Sequence, residues 1–299
     1  MKSIKKIIEE IEKEIKEKVK GKAIIAVSGG VDSTTLTLIA YNALAQQLIP
    51  YFIDTGFMRK NEYENLTNIL SKFGIEVKYE DAKTIFFEKL KDAENCKEKR
   101  KIFSDTFYLV FGNIIEREKA EWLLQGTNKA DLEMKAKGQL QHNVRDDYRQ
   151  FGIKEVLEPF SNFYKHEIRK IAREVGLPKE IYLKQPFPGP GFSIRVKGKI
   201  TKEKIDLVRE AQDIVEKLTK DYGISQTLVR LDEKIPDVNG EEKYVAIIRF
   251  IKTNDFLTAN PVRINKNIEK RIVSALNEIG IGRVYVDITP KPPAIIEWC

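Results

Sequence analysis

The stretch that decides the fold is IIAVSGGVDS, residues 24–33. Its first four residues are apolar and predict a short strand, while Gly29 and Gly30 predict a turn and Val31 the first turn of a helix. Glycines lack Cβ, so several backbone N–H groups can face one anion, and the positive end of the helix points at the same place. The stretch therefore predicts a phosphate-binding loop; an ordinary strand-to-helix turn of small residues is the alternative.

The side chains of this loop suit phosphate chemistry. Ser28 and Ser33 carry hydroxyl donors, and the Asp32 carboxylate suits Mg²⁺ beside phosphate oxygens. The lysine of the G-x-x-x-x-G-K-[ST] motif is absent, so the loop differs from that of ordinary nucleoside triphosphatases. S-G-G-x-D-S resembles the PP-loop of the N-type ATP pyrophosphatases, which split ATP between its α- and β-phosphates and adenylate a carbonyl oxygen. We expect Asp32 to bind the metal and to act in catalysis with Ser33. The predicted ATP and pyrophosphate ligands in this loop are Ser28, Gly29, Gly30, Val31, Asp32, Ser33 and Thr34.

Composition limits the class of protein. The chain has 299 residues, 42% hydrophobic and 32% charged, which fits one large or two ordinary globular domains. No apolar run reaches the roughly 18 residues of a membrane span, and the start of the chain predicts a charged amphipathic helix rather than a signal peptide. Cys96 and Cys299 are the only cysteines, too few and too far apart for a disulfide framework or a zinc site. We therefore expect a reducing, cytoplasmic location and no membrane partner.

The net charge of +7 admits two kinds of ligand, nucleic acid or phosphorylated small molecules. The lysines are dispersed among glutamates, and no block of five or six like charges occurs. We therefore expect no nucleic-acid partner.

The N-terminal part of the chain alternates strand and helix patterns. This alternation predicts an α/β fold with a parallel sheet and helices on both faces, in which ligands lie beyond the carboxyl ends of the strands. The loop at 28–33, Asp54-Thr55-Gly56 and Gln125-Gly126-Thr127 each follow a predicted strand. The predicted strands are 22–27, 49–53, 76–80, 121–125 and 153–157.

The segment 185–191, QPFPGPG, interrupts the alternation. Its three prolines and two glycines exclude a helix or a central strand. Two interpretations remain, an interdomain linker or a rigid loop against a ligand. Beyond it, strands near 226–231, 244–252 and 282–288 and helices at 201–219 and 266–279 predict a smaller α+β domain. We place the domains at 1–195 and 196–299.

Seven motifs, in this order, resemble the ATP pyrophosphatase subunit of GMP synthetase, of the archaeal two-subunit kind. The resemblance spans nearly the whole chain and implies a fold like the adenine nucleotide alpha hydrolases, followed by a C-terminal dimerisation domain. It also implies a ligase that uses ATP to adenylate the 2-position oxygen of xanthosine 5′-monophosphate (XMP), after which ammonia displaces AMP to give GMP. The motifs are SGGVDS at 28–33, DTG at 54–56 with MRKNE at 58–62, EKRKI at 98–102, QGT at 125–127, His142-Asn143, QPFPGPG at 185–191, and KPPA at 291–294 with Glu297-Trp298.

The resemblance also implies binding residues outside the PP-loop. Gln125, Gly126 and Thr127 would line the nucleotide. Cations and an amide suit a phosphate and an oxygen-rich base, although each of these side chains alone fits a surface role equally well. The XMP-binding residues implied by the family are Arg100, Gln226, Lys291 and Glu297.

The expected partners follow from what the sequence lacks. No cysteine is flanked as a nucleophile elbow, and no Cys–His–Glu set is visible, so the chain has no glutaminase half of its own. Ammonia must come from solution or from a separate glutamine amidotransferase subunit. The resemblance further implies ATP and Mg²⁺ as cofactors and a homodimer formed through the C-terminal domain.

The chain departs from the family at two places. Gln141 precedes His142 where the family has a second histidine, and residues 128–141, a lid in the family, lack its usual residues. Ile295 stands where the family has threonine, and Cys299 replaces a final acid. Two other functions therefore stay open, a PP-loop enzyme that adenylates a different carbonyl compound and a PP-loop protein that modifies RNA. The second normally carries a catalytic cysteine pair or an RNA-binding module, and neither is visible.

Overall fold

The computed structural model describes residues 3–136, 148–253 and 258–298. The chain divides into two units, of which the first comprises residues 1–56, 61–84 and 104–184 and the second 57–60, 85–103 and 185–299. Two short segments from the N-terminal half of the sequence thus belong to the second unit. The functional division at residue 195 stays a prediction.

A five-stranded parallel sheet forms the centre of the first unit, which confirms the predicted fold class. The strand order β3-β2-β1-β4-β5 means that the chain moves outward on one side of β1 and then returns to add β4 on the other. The connections after β1 and β4 therefore diverge at a switch point, where open α/β sheets bind ligands. The strands are β1 (Ala23–Ala26), β2 (Leu48–Asp54), β3 (Lys78–Asp81), β4 (Trp122–Leu124) and β5 (Glu155–Leu157).

Helix α2, which follows β1, is buried on nearly all sides. It packs against β1, β2, α1 and α7, so its sequence is not amphipathic, and its three threonines are buried together with its apolar residues. The predicted leading helix is confirmed as α1, which buries Ile11 and Ile15. No helix in the described part of the chain is both long and apolar enough to cross a membrane. The helices up to the proline-rich segment are α1 (Ile4–Lys18), α2 (Val31–Leu44), α3 (Glu62–Leu70), α4 (Lys83–Leu90), α5 (Cys96–Glu118), α6 (Lys129–Ala136), α7 (Lys165–Glu174) and α8 (Lys179–Tyr182).

The second unit contains a mixed four-stranded sheet and two long helices, as the α+β prediction required. Strands β6 and β8 run antiparallel to β7, and β9 runs parallel to it. Thr201 and Asn265 begin the helices, because each side chain accepts a backbone N–H of the first turn. The elements are α9 (Lys202–Thr219), β6 (Gln226–Pro236), β7 (Glu242–Lys252), β8 (Asn260–Pro261), α10 (Lys266–Glu278) and β9 (Ile281–Val286).

The expectation about the cysteines needs a correction, because Cys96 is disulfide-bonded. The one other cysteine of the sequence, Cys299, lies outside the described residues. Sequence separation is a poor guide here, since the tail folds back towards the start of α5. Cys96 and Trp298 line the same cavity of about 220 Å³. The cysteine count therefore gives no support for a reducing compartment.

Candidate active site

The predicted phosphate-binding loop lies between β1 and α2, as the sequence indicated. Gly29 has a φ of +74°, in the left-handed region that favours glycine. Gly30 is the N-cap residue of α2, and no side chain caps the helix there. The first N–H groups of α2 are thus available to an anion at the positive end of the helix.

The two serines of the loop converge on the same small region. The Ser28 N–H donates to Ser33 Oγ at 3.2 Å, and the Gly30 N–H donates to Ser28 Oγ at 3.3 Å. The two hydroxyl oxygens lie 3.1 Å apart. These bonds are long, so a charged phosphate oxygen is a better acceptor for the same donors.

Two oxygen atoms at the start of α2 are buried without a hydrogen-bond partner, Asp32 Oδ1 and Thr34 Oγ1. The other carboxylate oxygen of Asp32 forms an ion pair with Lys165 Nζ at 3.1 Å. An unpartnered buried polar atom costs about 1–3 kcal/mol, so two of them in one loop indicate a place for a ligand.

The same observation tests whether the site fits Mg²⁺. Mg²⁺ commonly takes one or two carboxylates from the protein and the rest of its ligands from phosphate and water. Asp32 Oδ1 meets that need, and no group of three or more His, Cys, Asp or Glu in the described residues forms a metal site by itself. The residues fit a metal that arrives with a phosphate ligand.

The segment after β4 lies directly against the phosphate-binding loop, as the switch point predicts. A Cβ on Gly126 would lie 3.2 Å from the Asp32 carbonyl carbon and from Ser33 N, so a glycine allows this close approach. The Thr127 hydroxyl is buried and donates to Glu158 at 2.6 Å. The Gln125 N–H bonds the last residue of β5. The structure thus brings 125–127 to the loop, while their contact with a nucleotide stays a prediction.

Three charged residues beside the loop were not predicted from the sequence: Lys165, Asp131 and Glu158. Burial raises the pKa of Asp131 above its ordinary range; the charge of Lys165 opposes this rise, and the charges of Asp32 and Glu158 add to it. These residues follow β4 and β5, whose ends meet the PP-loop only in the folded sheet. The signal that could have found them was the strand order, which the sequence did not determine.

The four predicted XMP-binding residues all lie in the second unit. Arg100 is on α5, Gln226 begins β6, and Lys291 and Glu297 belong to the C-terminal tail. Lys291 pairs through its backbone with Ala259, by bonds of 2.8 and 3.0 Å. Burial lowers the pKa of the Arg100 guanidinium, and the charge of Glu297 acts in the opposite direction. Arg100 and Glu297 therefore share one electrostatic environment.

Glu297 is held by a residue that the sequence did not single out, the fully buried Arg195. The guanidinium contacts both carboxylate oxygens, Nη2 to Oε1 at 2.8 Å and Nε to Oε2 at 3.2 Å. Its third donor group bonds Gln212 Oε1 at 2.9 Å. A bidentate pair fixes the plane of the carboxylate and uses one lone pair of each oxygen. The remaining lone pairs can accept N–H groups of a ligand.

A second arginine, Arg249, holds the backbone of the same tail. It donates to the Ile296 carbonyl at 2.8 Å and to the Ile295 carbonyl, and it pairs with Asp287. Trp298 donates to the same aspartate at 3.0 Å. The side chain of Ile295, where the family has threonine, is half exposed and has no hydrogen-bonding group. The tail is therefore ordered by contacts that do not depend on that position.

The segment 185–191 is a rigid loop of the second unit. Gln226 Nε2 donates to the Pro186 carbonyl at 3.2 Å, and the Thr227 N–H donates to Gln185 Oε1 at 2.7 Å. The boundary between the two units falls just before this loop, which agrees with the interdomain interpretation, and the contact of the loop with a ligand stays a prediction.

The far end of the loop is equally constrained. Gly191 has a φ of +59°, and the next N–H donates to the Phe57 carbonyl at 2.9 Å. The Phe187 ring lies 4.4 Å from the Arg59 guanidinium and 5.1 Å from that of Arg195. Arg195 thus touches both the proline-rich loop and the tail.

The predicted lid is described only in part. Residues 129–136 form α6. His142, Asn143 and the remainder of the lid up to Gln141 lie outside the described residues.

The chain matches known protein families over most of its length. A family model described as NAD synthase matches residues 3–189, and one described as GMP synthase C terminal domain matches residues 212–298. The chain is similar to a subunit of the glutamine-hydrolysing GMP synthase of Archaeoglobus fulgidus, with 41% identity over 99% of this chain and 99% of that protein. The proteins of the same name from Methanopyrus kandleri and Methanocaldococcus jannaschii are 39% and 40% identical, each over at least 98% of both chains.

Proposed function

The chain belongs to this family of glutamine-hydrolysing GMP synthase subunits, and from this premise we propose that it is a ligase that converts XMP to GMP with ATP and ammonia. The observation that carries the proposal is the presence, in one chain, of a PP-loop with unpartnered buried oxygens and a C-terminal region matching the GMP synthase C terminal domain. Residues 1–195 would then serve as the ATP pyrophosphatase domain and 196–299 as the substrate-binding and dimerisation domain.

The PP-loop residues would hold the pyrophosphate that leaves ATP. The 2-position oxygen of XMP attacks the α-phosphorus, the bond to the β-phosphate oxygen breaks, and pyrophosphate departs with its negative charge. The N–H groups of Gly29 and Gly30 and the hydroxyls of Ser28 and Ser33 stabilise that charge. Mg²⁺, when bound at Asp32, would neutralise phosphate charge further.

Residues of the second unit would hold XMP. The cationic side chains of Arg100 and Lys291 suit the nucleotide phosphate, and Gln226 offers an amide. The Glu297 carboxylate, fixed by Arg195, suits the N–H groups of the xanthine ring. Ammonia then attacks the activated C2 carbon, and AMP leaves with the former 2-position oxygen.

The nitrogen source and the assembly are further parts of the proposal. The relatives are named as one subunit of a glutamine-hydrolysing enzyme, which supports a separate glutamine amidotransferase as the ammonia donor. We keep the homodimer through the C-terminal domain and the cytoplasmic location as proposals.

A second candidate function rests on the N-terminal match alone. Because residues 3–189 match a model described as NAD synthase, that half of the chain fits adenylation of another carbonyl compound. The C-terminal match favours XMP as the acceptor.

The deciding experiment measures AMP release by the purified chain with Mg²⁺-ATP and ammonium, across a set of nucleotides. We expect turnover with XMP, none with inosine 5′-monophosphate, which lacks the 2-position oxygen, and little with xanthosine, which lacks the phosphate. Glutamine should not replace ammonium. Absence of XMP-dependent AMP release, with ATP cleaved in the presence of another carbonyl compound, would favour the second candidate; tight binding of bulk tRNA would favour RNA modification.

A further inference from the structure

A largely buried ion pair lies against the backbone of the PP-loop and has no assigned role. Glu62, the first residue of α3, pairs with Lys184, which follows α8, and their side chains are 6% and 21% exposed. Lys184 Nζ also donates to the carbonyl oxygen of Gly29 at 3.0 Å. All three residues belong to the first unit.

The carbonyl of Gly29 and the N–H of Gly30 belong to one peptide group. In a trans peptide these two bonds point in opposite directions. Because Lys184 holds the carbonyl on one side, the Gly30 N–H must face the other side, where it meets Ser28 Oγ. If this peptide rotated by half a turn, it would present a carbonyl oxygen, and not an N–H, to a phosphate.

Glycine on both sides makes that rotation easy. Neither residue has a Cβ to restrict it, and Gly29 already has a φ of +74°. Within the described residues the Gly29 carbonyl accepts no backbone N–H, whereas the Gly30 carbonyl accepts the Thr34 N–H at 3.0 Å as the first bond of α2. Apart from the long bond of the Gly30 N–H to Ser28 Oγ, the orientation of the peptide therefore depends on a contact from outside the loop.

We propose that Lys184, held by Glu62, is a positioning residue that keeps the Gly29–Gly30 peptide turned so that the Gly30 N–H faces the departing pyrophosphate. The inference rests on the proposed function only as far as pyrophosphate binding at this loop. It assigns no part in XMP recognition to the pair.

The presence of Glu62 separates this role from simple attraction between lysine and phosphate. If Lys184 attracted the phosphate directly by its charge, removal of the neighbouring carboxylate charge would strengthen pyrophosphate binding. If Lys184 anchors the peptide instead, the same change weakens pyrophosphate binding, because Glu62 fixes where the ammonium lies. Glu62 also occupies the space beside Gly29, since a Cβ on that glycine would lie 2.1 Å from Glu62 Oε1.

The test compares Lys184→Met, Lys184→Arg and Glu62→Gln with Lys170→Met, a change of a lysine on α7. Calorimetry measures the affinity of each purified chain for Mg²⁺-pyrophosphate, and steady-state assays measure kcat and KM for ATP. We expect Lys184→Met and Glu62→Gln each to weaken pyrophosphate binding about tenfold and to lower kcat by at least as much, with a smaller change in the KM for ATP. Lys184→Arg should restore part of the loss, and Lys170→Met should match the wild type.

The outcomes separate the two proposals. Tighter pyrophosphate binding by Glu62→Gln would overturn the positioning role and make Lys184 a phosphate cation. Unchanged binding in both Lys184→Met and Glu62→Gln would reduce the pair to packing. Glu62→Gln is nearly isosteric, so it keeps the test valid if Lys184→Met does not fold. If the wild-type chain binds pyrophosphate but neither binds nor converts XMP, XMP is refuted as the acceptor substrate of the proposed function. The inference about Lys184 is unaffected by that result.

Discussion

The proline-rich loop offers a sharp test of the structure at Gly191. Its φ of +59° costs a non-glycine residue about 1–2 kcal/mol. A Cβ there would also lie 2.1 Å from the Phe57 carbonyl oxygen and 2.8 Å from its carbon, which are backbone atoms and cannot rotate away. The bond from the Phe192 N–H to that carbonyl would be lost, at about 0.5–1.5 kcal/mol. We therefore expect Gly191→Ala to destabilise the second unit by about 3 kcal/mol or more.

Gly223→Ala is the matched control. Gly223 has a φ of +63°, and a Cβ there would meet nothing within 4 Å. This variant should show the backbone cost alone, about 1–2 kcal/mol. The difference between the two variants measures the contact with Phe57.

Urea unfolding followed by tryptophan fluorescence provides the assay. The chain has two tryptophans, and Trp122→Phe leaves Trp298, which packs against the buried cluster of Leu228, Ile251 and Ala259 in the second unit. Both glycine variants are compared in that background. Equal losses of unfolding free energy in Gly191→Ala and Gly223→Ala would show that the loop does not press on Phe57 and would refute the reasoning.

Three further predictions concern single side chains. Burial lowers the pKa of Lys99 from 10.5 to about 8; between these values the unfolded chain carries the proton and the folded chain does not. The free energy of unfolding should therefore rise with pH across that window, by up to about 3 kcal/mol relative to Lys99→Met in parallel melts, and a flat difference would refute the shift. Asp32→Asn should lower Mg²⁺-ATP turnover at least about 100-fold with a melting temperature near that of the wild type, and retained pyrophosphate release would exclude Asp32 as the metal ligand. Because Cys96 is disulfide-bonded, Cys96 should resist alkylation in the chain unfolded without reductant, as peptide mass spectrometry would show, and alkylated Cys96 would contradict the bond.

The sequence was sufficient for those features that depend on local pattern. The alternation of apolar strands and helices predicted the parallel sheet, and the glycines predicted the loop after β1. The same pattern placed residues 28–33 and 125–127 at the carboxyl ends of strands, whereas the approach of Gly126 to Asp32 depends on β4 lying beside β1, which the sequence did not determine. These predictions needed only the spacing of apolar residues along the chain and the residues that favour turns.

The residues that hold the candidate sites in place could not be predicted in the same way. Lys184 lies 155 residues from Gly29, and Arg195 lies 102 residues from Glu297. Each cation belongs to a chain rich in lysine and arginine, and most such side chains lie in solvent. Only the folded structure distinguishes a buried anchoring cation from a solvated one.

The charge balance around the PP-loop explains why a metal belongs in the proposal. Lys184 is paired with Glu62, and Lys165 is paired with Asp32, so neither lysine offers its full charge to a ligand. Asp131, whose pKa burial raises, adds a further acidic group near Lys165. The positive potential of the loop then comes from Arg169, whose charge also interacts with Asp32, and from the N–H groups at the end of α2, which amount to roughly half an elementary charge. Pyrophosphate carries several negative charges, so these groups leave most of them unbalanced. We therefore expect pyrophosphate affinity to fall steeply when Mg²⁺ is withdrawn, and to fall less in Asp32→Asn, which has already lost the carboxylate that would hold the metal.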